Sequence, residues 1–71
     1  MRYFKSDNSV YRSYHHKFSN GTECQAIERY NFDMSNWEGH IHDTDETRRR
    51  INELDGIIEI SEKEAYLIIK S

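Results

Sequence analysis

Residues 51–69, INELDGIIEISEKEAYLII, hold eight of the eleven Ile, Leu and Val residues of the chain. Eight of its nine aromatic residues lie between Tyr3 and Trp37, where aliphatic residues are scarce. The sequence therefore predicts one core, in which an aromatic front half packs against an aliphatic back half. A chain of 71 residues predicts a single domain, residues 1–71, with only a few kcal/mol of net stability. We expect a monomer or a small homo-oligomer.

Two elements are predicted inside this aliphatic stretch. Residues 57–60 are too short and too β-branched for a helix, and they predict a strand with Ile58 and Ile60 on its buried face. Ser61 and Glu64 then have the spacing of a capping box, in which each side chain accepts a hydrogen bond from the other residue's amide. A terminal helix is therefore expected after Ser61, although its β-branched residues leave a final strand as an alternative.

A further helix is predicted to begin before this stretch and to end inside it. Asp43 or Thr44 can cap its first turn, and Gly56 is expected to end it as the C-terminal cap. The positions i, i+4 and i+7 form a narrow inward stripe. These positions are occupied by Thr47, Ile51 and Leu54.

The front half predicts hairpins. Residues 6–9, SDNS, favour a turn, and a β-favouring run follows them. Because side chains alternate along a strand, Val10, Tyr14 and Phe18 share the expected core face, opposite Tyr11 and His15. Asn20-Gly21 predicts a two-residue type I′ turn, and a third strand is expected over about residues 23–30.

Residues 31–42 have no clear period, so they are interpreted as an ordered loop that covers one end of the core. The predicted fold is therefore α+β. It has an antiparallel sheet of three to four strands with one or two short helices packed on one face, in the order βββαβα.

Composition limits the class of protein. The single Cys24 cannot form an internal disulfide, the first 20 residues lack the apolar run of a signal peptide, and no run approaches the ~18 apolar residues of a membrane span. A cytoplasmic protein that does not bind membranes is expected. The net charge of −3 opposes binding to nucleic acid.

Two short patterns resemble those of short uncharacterised proteins of bacteria and their phages. One is the opening RYFK at residues 2–5, followed by a polar turn and VYR at residues 10–12, and the other is ISEKEA at residues 60–65. The matched residues cover about a quarter of the chain. The resemblance implies a compact accessory protein of the kind that mobile elements encode, some of which bind and block another protein.

No residues form a recognised catalytic motif, so the chain is not expected to be an enzyme or to hold a cofactor. His40 and His42 would point to the same side of an extended segment, but two histidines do not make a metal site, and surface histidines are the favoured interpretation. Cys24 is interpreted as a packed strand residue. Arg48, Arg49 and Arg50 are interpreted as an ion-paired helix face.

The leading hypothesis is a small non-enzymatic module that binds and regulates or inhibits a partner protein. The candidate partner-binding residues are Trp37, Tyr11, Arg12 and His15. Trp37 is interpreted either as an exposed anchor or as a lid on the core. The alternative is a small nucleic-acid-binding domain that uses the N-terminal strands, in which aromatic and basic residues are interleaved.

Overall fold

The computed structural model describes residues 1–54 and 56–71, and of His40 it describes the backbone alone. Within these residues the elements are β1 (Arg2–Ser6), β2 (Ser9–Lys17), β3 (Glu23–Asn31), β4 (Asn36–His42), α1 (Thr44–Glu53), β5 (Ile58–Ile60) and α2 (Glu62–Lys70). The strands form one antiparallel sheet in the order β4-β3-β2-β1-β5. Neither helix is long and apolar enough to cross a membrane.

The predicted sheet of three to four strands, in the order βββαβα, is wrong. The described residues form five strands, in the order ββββαβα. The additional strand is β4, in the segment that was expected to be a loop. Between the pairs Arg29↔Glu38 and Ile27↔Ile41, β3 advances by two residues and β4 by three. This bulge interrupts the alternation that identifies a strand in a sequence.

The two helices lie on opposite faces of the sheet, not on one face as predicted. Tyr3 on β1 contacts Tyr66 of α2, with ring centroids 6.0 Å apart, and this side of the sheet is called the α2 face. Arg50 of α1 lines a cavity with Ile27 and Ile41 on the other side, called the α1 face. The chain leaves β4 at one edge of the sheet and enters β5 at the other, so α1 has to cross between them.

The first hairpin turn lies where it was predicted, whereas the second differs from the predicted two-residue type I′ turn. Ser6 pairs with Ser9, so the two-residue loop is Asp7-Asn8, with Asp7 at φ 52°. The second loop has three residues, because Phe18 and Thr22 are joined by a backbone hydrogen bond of 2.8 Å. Within it the Gly21 amide donates to the Phe18 carbonyl at 3.0 Å, and Gly21 has φ 90°. A type I turn followed by a left-handed glycine is a common three-residue hairpin loop.

Helix α1 begins as predicted. Asp43 is its N-cap and accepts a hydrogen bond from the Glu46 amide at 2.9 Å. Thr47 is fully buried and donates its hydroxyl to the Gln25 carbonyl at 2.8 Å, which joins the helix to β3 beyond the end of β4. The C-cap is Leu54 in an extended conformation, so the predicted cap at Gly56 is wrong.

Helix α2 confirms the predicted capping box. The Glu64 amide donates to Ser61 Oγ at 3.1 Å, and the Ser61 amide donates to Glu64 Oε1 at 3.4 Å. The helix covers a buried cluster on the α2 face. The cluster consists of Tyr3, Val10, Ile60 and Ala65, with Tyr30, Trp37, Tyr66, Ile68 and Ile69 packed against it. Ile58 was expected to be buried with Ile60, but it is exposed because it lies at the outer end of the edge strand β5.

Candidate functional site

Helix α2 covers only part of the α2 face. The covered half is the buried cluster that Tyr3, Val10 and Ile60 of the sheet form with Ala65 of the helix. The rest of this face is formed by β2, β3 and β4, and we call it the open half. Its side chains are Arg12, Tyr14, His16, Phe18, Glu28, Trp37 and His42. The open half is the candidate functional site, because it presents charged and aromatic groups that no helix covers.

Arg12 lies at the centre of the open half, where three groups hold its guanidinium. Its Nε donates to Glu28 Oε1 at 2.9 Å. The guanidinium carbon lies over the Trp37 ring, 4.4 Å from the centroid, and 5.9 Å from the centroid of Tyr14. Arg12 pairs with Glu28 in the register of β2 and β3, so the antiparallel ladder itself brings the two charges together.

Glu28 is a buried carboxylate in the middle of β3. Its side chain is 2% exposed, whereas that of Arg12 is 22% exposed. Burial raises the pKa of the Tyr14 phenol, and the charge and hydrogen bonding of Glu28 raise that pKa further. A buried carboxylate requires a cationic partner, so Glu28 fixes the position of Arg12.

The outer side of Arg12 is available for binding. Among the described residues, the Arg12 side chain makes one hydrogen bond, and it makes this bond through Nε. Its terminal nitrogens Nη1 and Nη2 therefore have no protein acceptor in that part of the chain. A guanidinium that is held on one edge presents a rigid planar donor pair on the other, which matches a carboxylate or a carbonyl group.

An aromatic group continues the open half toward the hairpin loop between β2 and β3. The rings of His16 and His42 are stacked, with centroids 4.2 Å apart and an interplanar angle of 12°. Phe18 contacts His16 edge to face at 4.7 Å and is 37% exposed. These three rings extend the surface around Arg12 with flat, partly apolar groups.

The hypothesis of a metal at His40 and His42 receives no support. His42 is exposed and stacks on His16, and the side chain of His40 lies outside the described residues. Among the residues that are described, no group of three or more His, Cys, Asp or Glu could hold a metal ion. Cys24 is half-buried, directly across the ladder from His16.

The four candidate partner-binding residues fall into two pairs. Arg12 and Trp37 lie together in the open half, while Tyr11 and His15 lie on the α1 face. His15 is 3.4 Å from Glu23 there. The basic aromatic surface expected for nucleic acid is divided in the same way. Tyr3, an aromatic residue of the N-terminal strands, is 6% exposed and belongs to the core.

Trp37 packs against the core, as expected of a lid. It is half-buried in β4, with its ring centroid 5.2 Å from that of Tyr30 and 6.3 Å from that of Tyr3. It therefore packs against the covered half while its indole supports Arg12.

Glu28 was not predicted from the sequence as a site residue. Glu28 shares a strand face with Ala26 because side chains alternate, but the sequence does not show that the structure buries both residues. Helix α1 has fewer ion pairs among the described residues than was predicted. Of the three consecutive arginines on α1, Arg49 pairs with Glu46. Arg48 and Arg50 form no ion pair with the described residues.

Comparison of the chain with protein-family models, with curated proteins and with solved structures gave no match. The resemblance to short bacterial and phage proteins therefore stays a prediction. The surface itself is the basis for a functional argument.

Proposed function

We propose that this protein is a non-enzymatic module that binds another protein through the open half. The observation that carries the proposal is the fixed guanidinium of Arg12. It is held by the buried Glu28 and the Trp37 ring, and its terminal nitrogens have no acceptor among the described residues. The acceptor we propose is a carbonyl or carboxylate group on the partner.

The Arg12 side chain is preorganised for binding. Ordering a free arginine at an interface costs about 0.5–1.5 kcal/mol, and here Glu28 and Trp37 restrict the side chain before any partner binds. Arg, Trp and Tyr are also the residues on which binding energy is most often concentrated. Phe18 and His42 provide exposed apolar and polar area beside this anchor.

The charge of the open half favours a protein over nucleic acid. The carboxylate of Glu28 compensates Arg12, so the centre of the surface has little net positive charge. Binding to nucleic acid depends on several uncompensated cations that neutralise phosphates. A module of this kind regulates or inhibits its partner by occupying part of the partner's surface, and the resemblance to phage and mobile-element proteins is consistent with that role.

The proposal is tested with Arg12→Lys. Lysine keeps the positive charge beside Glu28, but it loses the planar donor pair and the stacking on Trp37. Arg2→Lys is the matched control, because Arg2 also pairs with a glutamate, Glu59 at 2.8 Å, and lies over a ring, that of Phe4 at 5.1 Å. Arg2 is on the α1 face, away from the open half.

Each immobilised variant is used to capture proteins from the cells that carry the chain, and its melting temperature is measured in parallel. We expect Arg12→Lys to reduce capture of the wild-type partner at least tenfold while Arg2→Lys retains it. Equal capture by both variants contradicts the proposal. A labelled single-stranded oligonucleotide is titrated in parallel, and binding that Arg12→Lys weakens would favour the nucleic-acid alternative.

A further inference from the structure

A second surface feature lies on the α1 face, between α1 and the paired strands β3 and β4. It is a cavity of about 400 Å³, which falls in the range of small-molecule sites. Its lining includes Tyr11, Ile27, Arg29, Glu38, Ile41 and Arg50, and Glu28 also borders it. The open half is on the other side of the sheet, and the buried Glu28 in the middle of β3 borders both features.

The floor of the cavity is apolar. Ile27 and Ile41 are directly paired across β3 and β4, and Ile27 is 2% exposed. Gly39 lies at the rim with φ 74°, within the β4 bulge. The bulge therefore shapes this side of the cavity, and Tyr11 supplies an aromatic wall from β2.

Two guanidiniums border this apolar floor. Arg29 and Arg50 are both exposed, and neither forms an ion pair with the described residues. The neighbouring Arg49, by contrast, is paired with Glu46. Glu38 is the cross-strand neighbour of Arg29, but the side chains of these two residues form no ion pair. The other carboxylate of the lining, Glu28, is paired with Arg12 at 2.9 Å. Arg29 and Arg50 therefore border the cavity together with one carboxylate, that of Glu38, that forms no ion pair with the described residues.

We propose that this cavity binds a small organic carboxylate whose apolar body rests on Ile27 and Ile41. The carboxylate of the ligand is placed between Arg29 and Arg50, because guanidiniums bind carboxylates through paired hydrogen bonds. The apolar floor selects against small hydrated anions, since it offers them no polar partner. The charge of the lining selects against amines.

The experiment is a titration of the ¹⁵N-labelled full chain with phenylacetate, followed by amide chemical shifts in buffer of physiological ionic strength. Phenylethylamine and sodium acetate are titrated in parallel, as the cationic analogue and as the anion without an apolar body. The variants are Arg29→Gln and Arg50→Gln. Arg49→Gln is the matched control, because it removes an equal charge from the same helix outside the cavity.

We expect saturable shifts at Ile27, Gly39 and Ile41 with phenylacetate, at a Kd in the millimolar range. Each of the two cavity variants should raise that Kd at least fivefold, whereas Arg49→Gln should leave it within twofold. Absence of saturation at 50 mM phenylacetate overturns the proposal. Equal affinity for phenylethylamine or acetate, or an equal loss in Arg49→Gln, also overturns it, because the binding is then nonspecific.

Discussion

The covered and open halves of the α2 face belong to one sheet, yet different forces hold their side chains. In the covered half, Val10 is 1% exposed and Ala65 of α2 is fully buried, so hydrophobic burial dominates. In the open half, Arg12 is positioned by a carboxylate and two rings. The difference indicates that the covered half mainly stabilises the fold, while the open half holds partly exposed charged and aromatic groups in place, and the proposed partner contact rests on these groups.

The largest expected effect is that of Tyr3→Ala in the covered half. Tyr3 is 6% exposed, and replacing a buried aromatic side chain by alanine costs about 3–4 kcal/mol through lost burial and the cavity left behind. The free energy of unfolding is measured by urea denaturation, with the exposed Phe32→Ala as control. A loss below about 1 kcal/mol would contradict the claim that the covered half is the region that stabilises the fold.

The next effect is that of Arg12→Ala in the open half. This change removes the ion pair of Arg12 with the buried Glu28, and we expect a loss of about 2–3 kcal/mol in the free energy of unfolding. Combining Arg12→Met with Glu28→Leu removes both charges, so it should recover most of that loss while partner capture stays absent. If the double variant is as unstable as Arg12→Ala, the ion pair is not the reason for the loss.

A smaller effect is expected from Gly21→Val, at the end of the open half. Gly21 has φ 90°, and a β-branched residue resists this conformation, so the free energy of unfolding should fall by about 1–2 kcal/mol. A Cβ at this position meets no atom within 4 Å, so any loss reports backbone strain and not a clash. Wild-type stability by urea denaturation would show that the loop adopts another turn.

The smallest effect is that of Ser61→Ala, which removes the cap of the helix over the covered half. Ser61 Oγ accepts from the Glu64 amide at 3.1 Å, and losing this bond should cost about 1 kcal/mol. Partner capture should be unchanged at temperatures where the variant is folded. A capture defect in folded Ser61→Ala would show that α2 contributes to binding as well as to stability.

The N-caps of both helices and the core residue Val10 could be predicted from the sequence, because each depends on local spacing. Ser61 and Glu64 form the capping box, and Asp43 caps α1. The β4 strand could not be identified in this way, because its bulge breaks the alternation between Glu38 and Ile41. The placement of α1 across the opposite face depends on β5 joining β1, a long-range pairing that local patterns do not report.

The candidate site was predicted in part. Arg12 and Trp37 were both identified, but their contact depends on the order of strands β2, β3 and β4. The placement of Tyr11 and Arg12 on opposite faces of the sheet could be predicted, because adjacent residues of a strand point to opposite faces. The role of Glu28 could not be predicted, because its burial depends on the side chains that surround it.

The most direct measurement of the central claim is photo-crosslinking from two exposed positions. Benzoyl-phenylalanine replaces Phe18 in the open half or Leu67 on the outer side of α2, which are 37% and 61% exposed. Crosslinks to the captured partner should form from position 18, be absent from position 67, and disappear from position 18 when Arg12→Lys is added. Equal yields from both positions, or a crosslink at position 18 that survives Arg12→Lys unchanged, would contradict the assignment of partner binding to the open half.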